Sequence, residues 1–376
     1  MIDFSAARWE KTVHDYESFW RGELNRPIFD LVGQKSPEDD KRGTPPDTPY
    51  LSQSTCHLDL PPVKWMEAYE YDLAGKEFLG DSFPQICLDS FGPGVAAAFL
   101  GARLDNSTGR VWFHPKEHLP IKDLHFEYDP NNFWFNKIRD LMDAAARRWQ
   151  GEVLVGLPDF GGVLDILSTF LPGEELLLAL YDEPEEVIRC CEEIQALWFR
   201  YYDELADVVA PTAKGHGTWA GFLIPGKTNS GYIYQCDFCY MIGPDMFETF
   251  VLPSLKADCK RTACNSYHLD GTGELPHLDM LLSIPDLHLV QWVPGDGSAP
   301  EHTWTDVHRR ILRAGKHIQL HASGLDILPG IFDALGENLN PRTNAVIRGW
   351  CGAKGPDPHA FIEKMSHVYE GRNRCE

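Results

Sequence analysis

LHLVQWVPGDGSAPEHTWTDVHRRILRAGKHIQLHASGLDILPGIFDALGENLNPRTNAVIRGWC, residues 287–351, carries three short apolar runs separated by two segments of helical period. The runs 287–294, 316–323 and 344–351 are short and rich in Val, Ile and Leu, which predicts strands, while 304–314 and 326–336 repeat their apolar residues at helical spacing. Strands alternating with helices build parallel βαβ units. Working outward, 152–159, 207–216 and 263–270 read as further strands, and 183–206, 244–260 and 357–370 as helices that start after Asp, Pro or Thr cap signals. Six such strands, with whatever residues 50–130 add, are enough for an α/β fold of the (β/α)8 TIM-barrel type. An open doubly wound sheet is the alternative, but no G-x-G-x-x-G follows any of these strands.

Nearly every strand-like run ends in a residue capable of chemistry. Asp159 closes the first, His216 the second and His268 with Asp270 the third; Gln291 and Trp292 lie near the end of the fourth, His321 closes the fifth and Cys351 the sixth. Barrel enzymes build their sites at C-terminal strand ends, so the coincidence points to an enzyme. His216 and His321 are candidate proton shuttles because imidazole titrates near neutrality.

The 376 residues carry 34 Lys+Arg against 56 Asp+Glu, a formal net charge of −22. A surface this acidic repels phosphate backbones and anionic lipid, which excludes nucleic acid and membrane as partners. The charged N-terminal stretch lacks the apolar core of a signal peptide, and no run reaches the ~20 apolar residues of a membrane span, so a cytoplasmic location is expected. Ten cysteines are too dilute for a disulfide scaffold. Residues 33–49 crowd Pro, Asp, Lys and Gly without apolar period and predict a surface loop near a substrate entrance, mobile or ordered by substrate. The organisation expected is an N-terminal extension over the barrel, residues 1–60, followed by the barrel, residues 61–376.

The stretches QCDFCYMIGPDMFETFVLPSLK (235–256) and YHLDGTGELPHLDMLLSIPDLHLVQWVPG (267–295) resemble the uroporphyrinogen decarboxylase-like superfamily, whose members run a helix of the form S-P-E-M-F-x-x-F-x-x-P into a strand bearing a key His. FGPGVAAAFLG (91–101) and 161–187 are similar to it as well, so the resemblance spans about residue 90 to 352 and implies the barrel. True uroporphyrinogen decarboxylases carry an early R-Q-A-G-R loop that grips a tetrapyrrole with eight carboxylates. RPIFDLVGQKSPEDDKRG at the corresponding place has no such motif, and a polyanion needs guanidinium partners that this chain does not offer.

The other branch that the resemblance implies is the corrinoid-dependent methyltransferases, several of which hold zinc through an H-x-C pair and a Cys after a later strand. His268 matches the His and Cys351 the late Cys, while Asp270 stands in the middle position. Zinc accepts N, O and S donors, so Asp270, or one of Cys236 and Cys239 from the C-x-x-C of QCDFC, would complete the site. Asp237 between those cysteines is the expected general acid, with Tyr240 as a second donor. Asp159, Trp219, Gln291, Trp292 and Trp350 are expected to touch substrate, the tryptophans by stacking or cation–π attraction. The function expected is a zinc-assisted methyltransferase acting on a small molecule, with a corrinoid carried by a partner protein. The alternatives are a decarboxylase of a non-porphyrin acid and a barrel that binds a small ligand or metal without catalysis.

Overall fold

The computed structural model describes residues 2–226, 231–351 and 357–373. Its strands are β1 (Ile28–Gln34), β2 (Lys76–Gly80), β3 (Gln85–Ile86), β4 (Arg103–Asp105), β5 (Trp112–His114), β6 (Leu154–Val155), β7 (His216–Gly217), β8 (Leu223–Ile224), β9 (Gly231–Gln235), β10 (Cys264–Asp270), β11 (Leu289–Val293), β12 (His317–Ala322) and β13 (Ala345–Cys351). Seven of them form one sheet in the order β2-β1-β13-β12-β11-β10-β9, parallel throughout except for β2. The fold is mixed α/β. Parallel links also join β3 to β6 and Gly156 to Gly217, but no ladder ties these to the seven-stranded sheet among the described residues. Complete closure, as expected for a barrel, is therefore not drawn by the hydrogen bonds themselves.

The sheet is buried on both faces, so β11 to β13 carry apolar residues on both sides, with Gln291 and Gln319 as buried polar interruptions. One face packs under the helices, where Tyr267, Trp292, Ile318, Leu320 and Ile347 join the larger core. The other face holds a second core of Ile28, Leu289, Ile233 and Val346, residues from the N-terminal portions of their strands. Helix Ala6–Trp20 closes that second core with Trp9, Tyr16 and Phe19, a 7- and 3-residue spacing that puts all three on one helix side. Its Ser5 side chain caps it by accepting the Arg8 N–H at 3.2 Å. The N-terminal segment thus covers the end of the sheet opposite the C-terminal strand ends, and it also supplies β1, an interior strand. No described helix is long and apolar enough to cross a membrane.

Three elements differ from the sequence expectation. Residues 207–209 are not strand: the helix runs Pro184–Val209, because Leu205, Ala206 and Val209 continue the buried stripe of Ile194, Trp198 and Tyr202 until Pro211 stops it. The strand expected at 207–216 shrinks to His216–Gly217, and that at 152–159 to Leu154–Val155. The helix expected over 244–260 breaks at Val251 into Pro244–Phe250 and Leu252–Arg261, with Pro253 in the first turn of the second.

Candidate functional site

Strand register decides which side chains meet. His268 of β10 pairs with Gln291 of β11, Gln291 with Gln319 of β12, and Gln319 with Val346 of β13. Side chains alternate along a strand, so Asp270, His321, Arg348 and Trp350 share that face, above the apolar core of the sheet's N-terminal end.

A directed hydrogen-bond chain crosses this row. The Ala220 carbonyl accepts from Gln319 Nε2 at 3.0 Å, Gln319 Oε1 accepts from Gln291 Nε2 at 2.7 Å, and Gln291 Oε1 accepts from His268 Nδ1. A carbonyl can only accept, so each amide has one orientation and the His268 proton sits on Nδ1. Nε2 is left bare and lies 3.9 Å from Asp270 Oδ2. Burial holds the imidazole below its ordinary pKa, against the pull of Gln291 and Asp270, so it is neutral. The Trp219 ring meets it edge to face at 5.2 Å.

One ligand atom each from Asp237, His268 and Asp270 lies within 4.8 Å of the others, the one such group of three among the described residues. Asp237 opens the turn 237–241 after β9. That turn is pinned by Asp165, whose carboxylate accepts the N–H groups of Gly162 (3.1 Å), Asp237 (3.1 Å) and Phe238 (2.7 Å). Asp159 at the end of the β6 segment accepts the Gly161 N–H at 2.9 Å. Burial raises Asp159 to about 7, and the nearby Asp237 adds to it. Burial and the charge of Asp237 raise Asp165 to about 7 in spite of its three amides. Asp237 keeps an open side, yet protein atoms around its carboxyl and then the charge of Asp270 raise it to about 6. Glu274, fully buried in the turn after β10, is driven to about 10 by burial, Asp237 and Asp165; its Oε1 has no partner among the described residues. No Lys or Arg pairs with any of these five carboxylates among the described residues. A neutral imidazole nitrogen beside Asp270 and the raised Asp237 fits a divalent cation.

The other expected site residues scatter. Cys351 lies five residues beyond Val346, about 16 Å further along β13, and the odd number turns it to the opposite face from His268. It sits at Gly33 of β1, where burial and then Glu77 raise its thiol. Cys351 is therefore not in the cluster that His268 and Asp270 form. Cys236 and Cys239 are buried thiols, each raised first by burial, and the structure brings Asp237, the residue after Cys236, to the cluster in their place. Tyr240 is exposed, its ring laid against Gly271 and Gly273, where a Cβ on Gly273 would come within 2.7 Å of it. His216 is buried beside the Tyr202 ring at 5.9 Å, its Nε2 without a partner among the described residues, and burial lowers it to about 4. His321 is tied to Glu301, which accepts from its backbone N–H at 3.0 Å and meets Nδ1 at 3.1 Å. Trp292 is fully buried on the outward face, 5.4 Å from Trp304, because it follows Gln291 by one residue; it faces away from the row. Trp350 is half exposed on the inward side.

Sequence reasoning missed Asp165, Glu274, Gln319 and Arg348. Gln319 was signalled only by standing two residues before His321 on one strand. Arg348 lies on the same face and pairs with Asp30 of β1 at 3.7 Å; its Nη1 donates to the Ala220 carbonyl. Gly221, at φ +83°, lets the guanidinium pass where any Cβ would overlap it.

No family model matches the chain and no curated protein matches it. Among solved structures the chain is similar to a methyltransferase from Methanosarcina mazei, at 9% identity over 75% of this chain and 78% of that one, with a TM-score of 0.46. It is also similar to macrophomate synthase, at 13% identity over 67% and 74%, with a TM-score of 0.23. The functional reading accordingly rests on the geometry of the site.

Proposed function

We propose that the protein is a zinc-dependent enzyme acting on a small molecule, and that it moves a methyl group to or from a corrinoid carried by a partner protein. In this reading the strands close as a (β/α)8 barrel of the uroporphyrinogen decarboxylase-like superfamily, supported by the sequence resemblance, the seven-stranded sheet and the parallel links through β3, β6 and β7. The observation that carries the reading is the group Asp237, His268 and Asp270, with its ligand atoms within 4.8 Å of one another. Zinc held by those three would polarise the heteroatom that bears the methyl group. The chain's own part is to present a bare imidazole nitrogen through Gln291 and Gln319, and to keep Trp219 as a dry wall against the ring. Asp159, raised to about 7, is placed to hold or return a proton near neutral pH.

Zinc titration tests this. Wild-type protein should bind about one zinc per chain, and His268→Ala should abolish binding and methyl transfer to or from methylcobalamin together. Protein that stays metal-free in zinc-supplemented medium would sink the reading. The raised Asp159 and Asp237 favour one second reading, a metal-independent decarboxylase using a carboxylic acid as proton donor; full activity on a carboxylic acid in the presence of a chelator would select it.

A further inference from the structure

A cavity of about 450 Å³, in the size range of small-molecule pockets, lies between the 42–51 segment, helix Pro62–Ala74 and residues 85–90. Gln85 and Cys87 on its floor donate to the carbonyls of Gly221 (3.1 Å) and Thr218 (3.1 Å), and Trp219 between those carbonyls touches His268. The cavity is thus tied by two hydrogen bonds to the segment whose Trp219 meets His268. Tyr50, Tyr69 and Tyr71 give it aromatic sides.

The cations around it are already engaged. Arg42 grips Asp40 with two nitrogens, at 2.9 and 2.7 Å, and lies over the Tyr71 ring at 4.6 Å, pinning the 42–51 strap to helix Pro62–Ala74. Lys76 meets Asp72 at 2.6 Å. Arg348 approaches from β13 but is spent on Ala220 and Asp30. Asp89 is different: the residue keeps an open side although protein atoms crowd its carboxyl, and that carboxyl has no hydrogen bond or ion pair among the described residues. Gln85 adds an Oε1 without a partner among the described residues. A carboxylate without an ion pair of its own, an amide oxygen lacking a donor among the described residues and three tyrosine rings define what fits.

We propose that this cavity binds a protonated amine carried on an apolar or aromatic body, with the ammonium on Asp89 and the body among the tyrosines. The ammonium supplies the donors that Asp89 and Gln85 lack, and the rings favour the cation and its apolar substituents. An anion would meet Asp89 as a like charge, and a neutral alcohol would leave the carboxylate uncompensated. The proposal rests on the reading of the mouth as a small-molecule site and names the substrate class for it. Protein atoms crowding the carboxyl hold Asp89 above its usual range against the pull of Arg348 and Lys76, and an arriving ammonium would favour its ionised form further.

The test uses chelator-treated full-length protein, so that it does not depend on zinc, and calorimetry with benzylamine, benzyl alcohol and benzoate as matched probes. Benzylamine should bind at least about tenfold more tightly than the other two, a difference of ~1.4 kcal/mol. Asp89→Asn should erase that preference while leaving benzyl alcohol affinity unchanged, and Asp89→Glu should keep it. Zinc stoichiometry, measured separately on the same variants, should not change, so failure of the metal reading and failure of this one give different results. Equal or tighter binding of alcohol or benzoate, benzylamine affinity untouched by Asp89→Asn, or no saturable benzylamine binding at millimolar concentration would overturn the proposal.

Discussion

Asp81 and Asp237 are both aspartates crowded by protein atoms, and their surroundings do opposite things to them. Asp81 is buried beside the N-terminal helix; it accepts from Arg26 at 2.6 and 2.8 Å, from the Phe29 N–H at 2.9 Å, and meets Lys11 at 3.4 Å. Burial pushes its carboxyl up, but Arg26, Lys11 and the amide outweigh that and leave it below the usual range. Asp237 has only more carboxylates for charged company, and it is raised to about 6. A buried charge with a resident cation is a structural joint, whereas a cluster of carboxylates without one costs stability that a visiting cation would return.

The largest expected effect separates the two regions. Asp81→Ala should cost about 3 kcal/mol in chemical denaturation, because it removes the carboxylate that accepts two Arg26 hydrogen bonds and the Phe29 N–H in a buried site. A loss near zero would dissolve the distinction.

The pH dependence sharpens it further. Asp159, Asp165 and Asp237 have folded values of about 7, 7 and 6, above the ~4 of an unfolded aspartate. Over that window the folded state holds more protons than the unfolded chain, so their contribution is most favourable below pH ~4 and is lost as pH rises to about 7. Asp81 works the other way, its contribution being present above pH ~4 and lost as pH falls through its lowered folded value. Metal-free protein should therefore lose stability, on the order of 2 kcal/mol, between pH 5 and 8. Asp237→Asn should flatten the slope, and saturating zinc should reverse it, because zinc binding improves as ligands deprotonate. An unchanged slope in Asp237→Asn would break the comparison.

A smaller effect is expected from the residues behind the cluster. Gln319→Met should weaken zinc about 10- to 100-fold without altering stoichiometry at saturation, since it removes the support that fixes Gln291. The smallest belongs to Cys351→Ser, which should leave zinc stoichiometry and affinity unchanged in the same titration. A tenfold loss there would return the thiol to the site and discredit the register argument.

The sheet's long half was legible in the sequence because β10 to β13 are short runs of apolar residues interrupted by a few polar ones and separated by helical segments. The other half was not, since β3, β6 and β7 are two residues long and carry no period, and Val208–Val209 satisfy a helical stripe as well as a strand. His268, Asp270 and Asp237 each stood out individually, at strand or turn positions. Their grouping did not, because choosing Asp237 over Cys351 requires knowing that Gln319 aligns with Val346, and the parity of the following five residues decides the face. Asp165 and Glu274 were invisible because their partners are backbone amides and carboxylates far away in sequence.

The chain of amides that ends on the Ala220 carbonyl has an arrow, and the arrow is written by three separate strands. Which ring nitrogen of His268 is offered to the outside is thus an outcome of assembly rather than a property of the histidine. A slip of one residue in β11 or β12 would replace a glutamine of the row by an apolar neighbour, Val290 or Trp292 in one case and Ile318 or Leu320 in the other. The proton would then be free to choose its nitrogen. Quality control for the chemistry and quality control for the fold are, at this row, the same event.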